Sequence, residues 1–157
     1  MIGIKIAGGF GNQLFQYAFG YVNAKKLKTF FYIDKGENFK LNKYFKLRDF
    51  DNFYNELSSV CYKIKDRLGF IKIYNWEDVE RNQPNYYINQ IRNNIYYHGY
   101  FQSESFFQGY YKDLVKLFEV KKEYKLQFDK KYATFFKENR VVVVHVRRGD
   151  YVDFGNE

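Results

Sequence analysis

One cysteine, one proline and two histidines in 157 residues put several architectures out of reach. With Cys61 alone no intrachain disulfide can form, which suits a reducing compartment rather than a stapled secreted scaffold. Cys61, His98 and His145 stand far apart in sequence and make no recognisable zinc cluster. A lone Pro84 with 11 glycines argues against a linker-rich or low-complexity chain. Long apolar runs are missing too. The stretch from Ile2 to Ala7 gives way at once to glycines and polar residues and does not read as a signal peptide. No stretch approaches the ~20 apolar residues that span a bilayer.

What is plentiful is aromatic surface. Phe, Tyr and Trp make up 23% of the chain, with 17 Tyr and 18 Phe, and hydrophobic residues reach 46%, enough for a packed core and against disorder. Much of that surface must be buried, since stable monomers seldom expose large apolar patches. The net charge of +8 points to an anionic partner such as a nucleotide, a nucleic acid or an acidic membrane surface. A lysine-rich solvated surface accounts for the same charge.

Ile2, Ile4 and Ile6 alternate with polar or small residues and run into Gly8, Gly9 and Gly11, which reads as a strand entering a glycine turn. From Asn12, a plausible N-cap, Leu14, Tyr17, Ala18, Tyr21 and Ala24 recur at helical spacing with Gln16, Asn23 and Lys25 between them. Thr29 to Ile33 reads as a second strand ending at Asp34, so the opening is a βαβ unit. The spacing from Leu47 to Leu68 predicts a helix, Phe70 to Tyr74 a strand, and polar Arg81 to Asn94 a loop. Ile95 to Tyr100 reads as a strand, Ser103 to Phe118 and Glu123 to Lys137 as helices. The valine run from Val141 to Val146 reads as a buried parallel strand.

That last run delivers "VVVVHVRRGDYV", with His145, Arg147, Arg148, Gly149 and Asp150 at the carboxyl end where open α/β sheets bind ligands. Two adjacent arginines cannot both enter a core, because an unpaired buried guanidinium costs several kcal/mol, on the order given for buried ions. Their planar forks suit phosphate oxygens. An arginine pair closing a surface salt bridge with Asp150 is the plainer reading. The amino-terminal motif is "GGFGNQLFQYAFG". Its glycines admit close backbone approach, and a helix N-terminus follows that favours negative charge. Leu14 stands where a dinucleotide fingerprint needs its third glycine, although Asp34 falls near the place of the ribose-binding acid. The amides of Asn12 and Gln13 can fix sugar or phosphate hydrogen bonds.

Together, "GGFGNQLFQYAFG", "HGYFQSESFF" and "VVVHVRRGDYV" resemble the alpha-1,2-fucosyltransferases of glycosyltransferase family eleven, in that family's order and over Gly8 to Val152. The resemblance implies a GT-B-like α/β fold. Residues 1–139 would form an acceptor-side Rossmann-like domain, and 140–157 the first strand of a truncated second Rossmann-like domain that binds GDP-fucose. It implies an inverting transfer of L-fucose from GDP-fucose to O2 of a terminal galactose on a glycan or lipid-linked oligosaccharide. Gly9, Gly11, Asn12 and Gln13 would line the donor cleft from the first domain, with His145, Arg147, Arg148, Gly149, Asp150 and Tyr151 opposite.

Arg147 would be catalytic, stabilising charge on the departing β-phosphate. Preorganised charge of this kind is worth ~3–4 kcal/mol per donor, and it would leave no place for a metal or other cofactor. No general base is assigned; His145, Asp150, Asp153 and Glu157 are the near candidates. Glu104 would bind acceptor hydroxyls or cap the helix after it, and Tyr100 and Phe101 read as core. Family members are much longer, so the chain is expected to be an inactive N-terminal fragment.

A bacterial, cytoplasmic enzyme working on surface polysaccharide or lipopolysaccharide, with peripheral contact at the inner membrane face, fits this picture. Nucleic acid is not an expected partner. The alternatives are a non-catalytic basic protein that binds nucleic acid or an anionic surface, though the lysines are scattered, and a nicotinamide oxidoreductase, disfavoured by Leu14 and the arginine pair.

Overall fold

The computed structural model describes residues 1–36, 38–47, 52–76, 87–144 and 146. Met1–Lys121 forms one compact unit, and the chain from Lys122 onward another. The first unit is α/β. Its four strands, β1 (Ile2–Lys5), β2 (Phe31–Asp34), β3 (Lys72–Asn75) and β4 (Ile95–His98), form one sheet in the order β2-β1-β4-β3. Every pairing is parallel, with Ile2 opposite both Phe31 and Ile95, and Ile4 opposite Ile33 and Tyr97. An all-parallel sheet needs crossover connections that cover its faces, and the helices supply them. This architecture is compatible with a Rossmann-like fold.

Successive strand residues face opposite ways, and the two faces receive different helices. Helix α1 (Phe10–Lys26) covers the face of Ile2, Ile4, Phe31, Ile33, Ile95 and Tyr97. Its Tyr17 meets Phe31 edge-on at 5.6 Å between centroids, and its Phe19 meets Tyr97 at 5.4 Å. Helix α3 (Asn52–Arg67) covers the face of Gly3, Tyr32 and Tyr96, where Tyr62 stacks on Tyr32 at 4.3 Å. Burying one such large side chain is worth roughly 1.5–3 kcal/mol; among the described residues Tyr17, Phe19, Phe31, Trp76, Tyr87, Tyr97, Phe101 and Phe106 are buried in this way, while others such as Phe70, Tyr111 and Phe135 stay exposed.

The βαβ opening is present, but α1 begins at Phe10 rather than at Asn12. Gly9 holds the extended backbone an N-cap needs (φ −71°, ψ 172°), which leaves Asn12 inside the first turn. A one-turn helix, α2 (Leu41–Tyr44), was not expected. Phe45, which follows it, forms an antiparallel bridge to Val120, flanked by the Lys46–Glu119 ion pair at 2.7 Å. The expected helix from Ser103 to Phe118 is two pieces, a 3-10 turn (Glu104–Phe107) and α4 (Tyr111–Leu117). They part at Gly109, whose φ of +84° has no place in a helix. Of the expected loop, 81–86 lie outside the described residues, while Tyr87 and Ile91 are buried.

In the second unit, α5 (Lys122–Glu138) has no buried residue. Phe128 packs on Tyr132 and Phe136 along its surface. The expected strand at Val141 to Val146 is corrected. Val141 to Val144 and Val146 belong to no strand, and Val142, Val143, Val144 and Val146 are exposed. A valine run becomes a strand only by ladder pairing, and the described valines have none. Among the described residues, no helix is long and apolar enough to cross a membrane.

Candidate functional site

β1 and β4 are neighbours in the sheet, so the segments leaving their carboxyl ends emerge side by side. One carries the glycine turn and the start of α1, the other the middle motif from Gly99 to Phe107. Two buried amides of α1 tie them together. Gln16 accepts from the Ala7 backbone N–H at 3.0 Å through Oε1 and donates from Nε2 to the Gly99 carbonyl at 2.9 Å. Gln13 does the same toward β2. Its Nε2 donates to the carbonyls of Gly8 (3.2 Å) and Asn38 (2.9 Å), and its Oε1 accepts from the Lys40 N–H at 2.9 Å. Both amides are 1% exposed. A buried amide left unpaired would cost about 1–3 kcal/mol, and here five bonds satisfy the pair.

Above these ties the two motifs touch directly. Gln102 Nε2 donates to Asn12 Oδ1 at 2.6 Å across the exposed rim. Gly8 has a φ of +73°, and a Cβ there would lie 2.7 Å from Asn12 Nδ2 and 3.3 Å from the Tyr100 ring. Only glycine lets the two loops close on each other. Phe101, buried at 0%, lies face to face with Phe19 at 3.8 Å despite a φ of +53°. That left-handed backbone costs roughly 1–2 kcal/mol for an L-residue, and the buried stack offsets it. The rim therefore rests on a rigid aromatic base.

Gly9 and Gly11 are exposed, and a Cβ at either would meet nothing within 4 Å. They border the start of α1, whose first turn has no acidic residue and whose N-cap offers no side-chain bond. Uncapped N–H groups at the positive end of a helix dipole favour an anion. Beside Gly11 an apolar groove of about 550 Å³ opens between α1 and α4, lined by Leu14, Phe15, Phe107, Tyr111 and Leu114 among others.

Of the residues expected to serve a site, the structure brings Gly9, Gly11, Asn12 and Gln13 together with the middle motif. Gln13 is buried and spent on backbone partners rather than open to solvent. Glu104 is exposed and opens the 3-10 turn, whose cap is Ser103, with Oγ accepting from the Ser105 N–H at 3.4 Å. Tyr100 edges the glycine turn and Phe101 is core. His145, Arg147, Arg148, Gly149, Asp150 and Tyr151, with Asp153 and Glu157, lie outside the described residues. Among the described residues, no group of three His, Cys, Asp or Glu could hold a metal ion.

Gly8, Gln16 and Gln102 were not singled out from the sequence. The signal for Gln16 was there: Gln13, Gln16, Tyr17, Gly20, Asn23 and Ala24 form one helical stripe, and all six are buried. No family model, no curated protein and no solved structure matches this chain.

Proposed function

We propose that the chain is the N-terminal part of an inverting galactoside alpha-1,2-fucosyltransferase of GT-B architecture, using GDP-fucose as donor and a galactose-terminated glycan or lipid-linked oligosaccharide as acceptor. One observation carries the reading. Two of the three motifs that resemble the family lie about 90 residues apart in sequence, yet they are joined by the Gln16–Gly99 and Gln102–Asn12 hydrogen bonds at the carboxyl end of a parallel sheet. That edge is where open α/β sheets take ligands. Segments carrying separate parts of one site have reason to meet there.

In this reading the uncapped start of α1, with Gly9 and Gly11 giving close access, faces the charged donor from the first domain. Arg147 stabilises the β-phosphate as the glycosidic bond to fucose breaks, and Arg148 holds a second phosphate oxygen. The galactose O2 attacks from the opposite face of the sugar and inverts the anomeric carbon. The enzyme works in the cytoplasm, needs no metal or other cofactor, and can touch the membrane that carries its acceptor.

Calorimetry of GDP against the 157-residue chain, and against a chain continued by the reading frame after Glu157, tests the proposal. GDP is expected to bind at least the continued chain. Arg147→Ala is expected to lower transfer by about 100-fold or more while circular dichroism is unchanged. Absence of GDP binding by either chain, or full activity in the folded Arg147→Ala variant, overturns it.

A further inference from the structure

The sheet face that α3 covers ends in a second opening. A cavity of about 690 Å³ lies between the carboxyl end of β2 and α3, lined by Tyr32, Asp34, Lys35, Glu56, Ser58 and Ser59 among others. Its Asp34 is held by a bond that crosses the sheet. The Tyr96 hydroxyl of β4 donates to Asp34 Oδ2 of β2 at 2.8 Å, reaching across β1. Only glycine allows that crossing, because a Cβ at position 3 would sit 2.7 Å from Tyr96 Cδ2 and 2.9 Å from Tyr62 Cε2. Burial first, joined by the Asp34 charge at Tyr32, the Asp66 charge at Tyr62 and the bond to Asp34 at Tyr96, holds the three phenols above their ordinary range, so all three stay protonated.

Asp34 is thus fixed by a neutral donor, and among the described residues it has no ion-pair partner and no hydrogen bond at Oδ1. Two carboxylates, Asp34 and Glu56, make the cavity rich in acceptors, which repels phosphate and carboxylate groups. A metal lacks the ligand set among the described residues. An apolar guest would strip water from the carboxylate without replacing its bonds. A pair of O–H donors on adjacent carbons satisfies an oriented carboxylate.

We propose that this cavity binds the vicinal diol of a sugar ring, with Asp34 accepting the paired hydroxyls and Glu56, Ser59 and Lys35 contacting the remaining ones. Its place at the carboxyl end of β2 is where a carboxylate receives ribose hydroxyls in nucleotide-binding α/β sheets. The same chemistry recognises a pyranose of a glycan. The assignment of the diol to the acceptor glycan rests on the function proposed above; diol binding does not.

Saturation-transfer NMR on the 157-residue chain tests it with three probes: lactose, GDP and 2′-deoxy-GDP. Lactose is expected to bind, with Kd raised about tenfold or more in Asp34→Asn. Binding of GDP but not of 2′-deoxy-GDP or lactose, weakened equally in Asp34→Asn, makes the diol a ribose and also supports the site. If Asp34→Asn disturbs the near-ultraviolet tyrosine signal, Glu56→Gln decides, since Glu56 is exposed. A Kd raised about threefold there supports the site, and an unchanged one overturns it. Binding of none of the probes, or binding indifferent to both variants, also overturns it. Lactose binding that ignores Asp34 and Glu56, beside GDP binding that depends on Arg147, would sink this inference while leaving the proposed function standing.

Discussion

On the side of the sheet under α1, Ile2, Ile4, Phe31 and Tyr97 meet Tyr17, Phe19 and Phe101, and the polar groups at its edge are the closed amide bonds of Gln13 and Gln16. On the side under α3, Gly3, Tyr32 and Tyr96 meet Tyr62 and a carboxylate, and a cavity opens at the end. The same strands build both, since alternation sends neighbouring residues to opposite faces. One side gains its free energy from burial and commits the amides of Gln13 and Gln16 to backbone partners. The other keeps hydroxyls and a carboxylate at the cost of a drier core. Stability should therefore be concentrated under α1, and ligand chemistry under α3 and along the rim of the glycine turn.

The largest expected effect tests that division directly. Phe19→Ala removes a ring in contact with Trp76, Tyr97, Phe101 and Phe106, and is expected to lower the unfolding free energy by about 3–5 kcal/mol. Tyr62→Ala, with a half-buried ring on the other face, is expected to cost less than half as much. Urea denaturation of both variants checks this. Equal losses would mean that the two faces share the load and that the contrast is only one of composition.

Next in size is the amide tie. Gln16→Leu keeps the volume but strands the Ala7 N–H and the Gly99 carbonyl in a buried setting, at about 2–3 kcal/mol. Amide exchange at Ala7 should accelerate along with the drop in urea midpoint. Gln102→Leu, on the exposed rim, is expected to stay within about 0.5 kcal/mol of the parent. If Gln16→Leu behaves like Gln102→Leu, the two motifs are held by the aromatic base and not by the amide.

Much of the α1 side was legible in the sequence. Period-two Ile2, Ile4 and Ile6 and the 3.6-period run after them mark β1 and α1 because burial on one face imposes those periods. The misreadings have physical causes. Asn12 has the better capping chemistry, but the chain's direction out of the glycine turn puts the extended residue at Gly9. Gln16 and Asn23 read as lying between the apolar positions of the helix, while here each finds backbone partners inside. The valine run has strand propensity, yet a strand exists only with a neighbour. Least legible was what the sheet itself brings together. The Asp34–Tyr96 bond and the Asn12–Gln102 contact join residues 62 and 90 apart, and only strand order makes them neighbours. Arg147 and Arg148 lie outside the described residues.

An effect smaller than that of the amide tie is the most diagnostic for the α3 face. Tyr96→Phe deletes the hydroxyl that holds Asp34 and leaves the ring, at an expected cost of about 1–2 kcal/mol near neutral pH. The sign of its pH dependence follows from the phenol. Burial, the bond to Asp34 and the Asp34 charge hold Tyr96 protonated in the fold well above its ordinary value of 10.0. Above that pH the unfolded chain loses the proton and the folded chain keeps it, so the folded state binds more protons and stability falls as pH rises. The contribution is present in full below pH 10 and drains away above it, and Tyr96→Phe lacks it at every pH. The gap in urea midpoint between parent and variant should therefore be constant from pH 7 to 9 and narrow from pH 10 upward. Tyr62, pushed up to about 12, bends both curves downward over pH 10 to 12 and leaves their difference unchanged to first order. A gap that stays constant through pH 11 would mean that the hydroxyl titrates as it does in the unfolded chain. The oriented carboxylate, and with it the distinction between the two faces, would then have no thermodynamic basis.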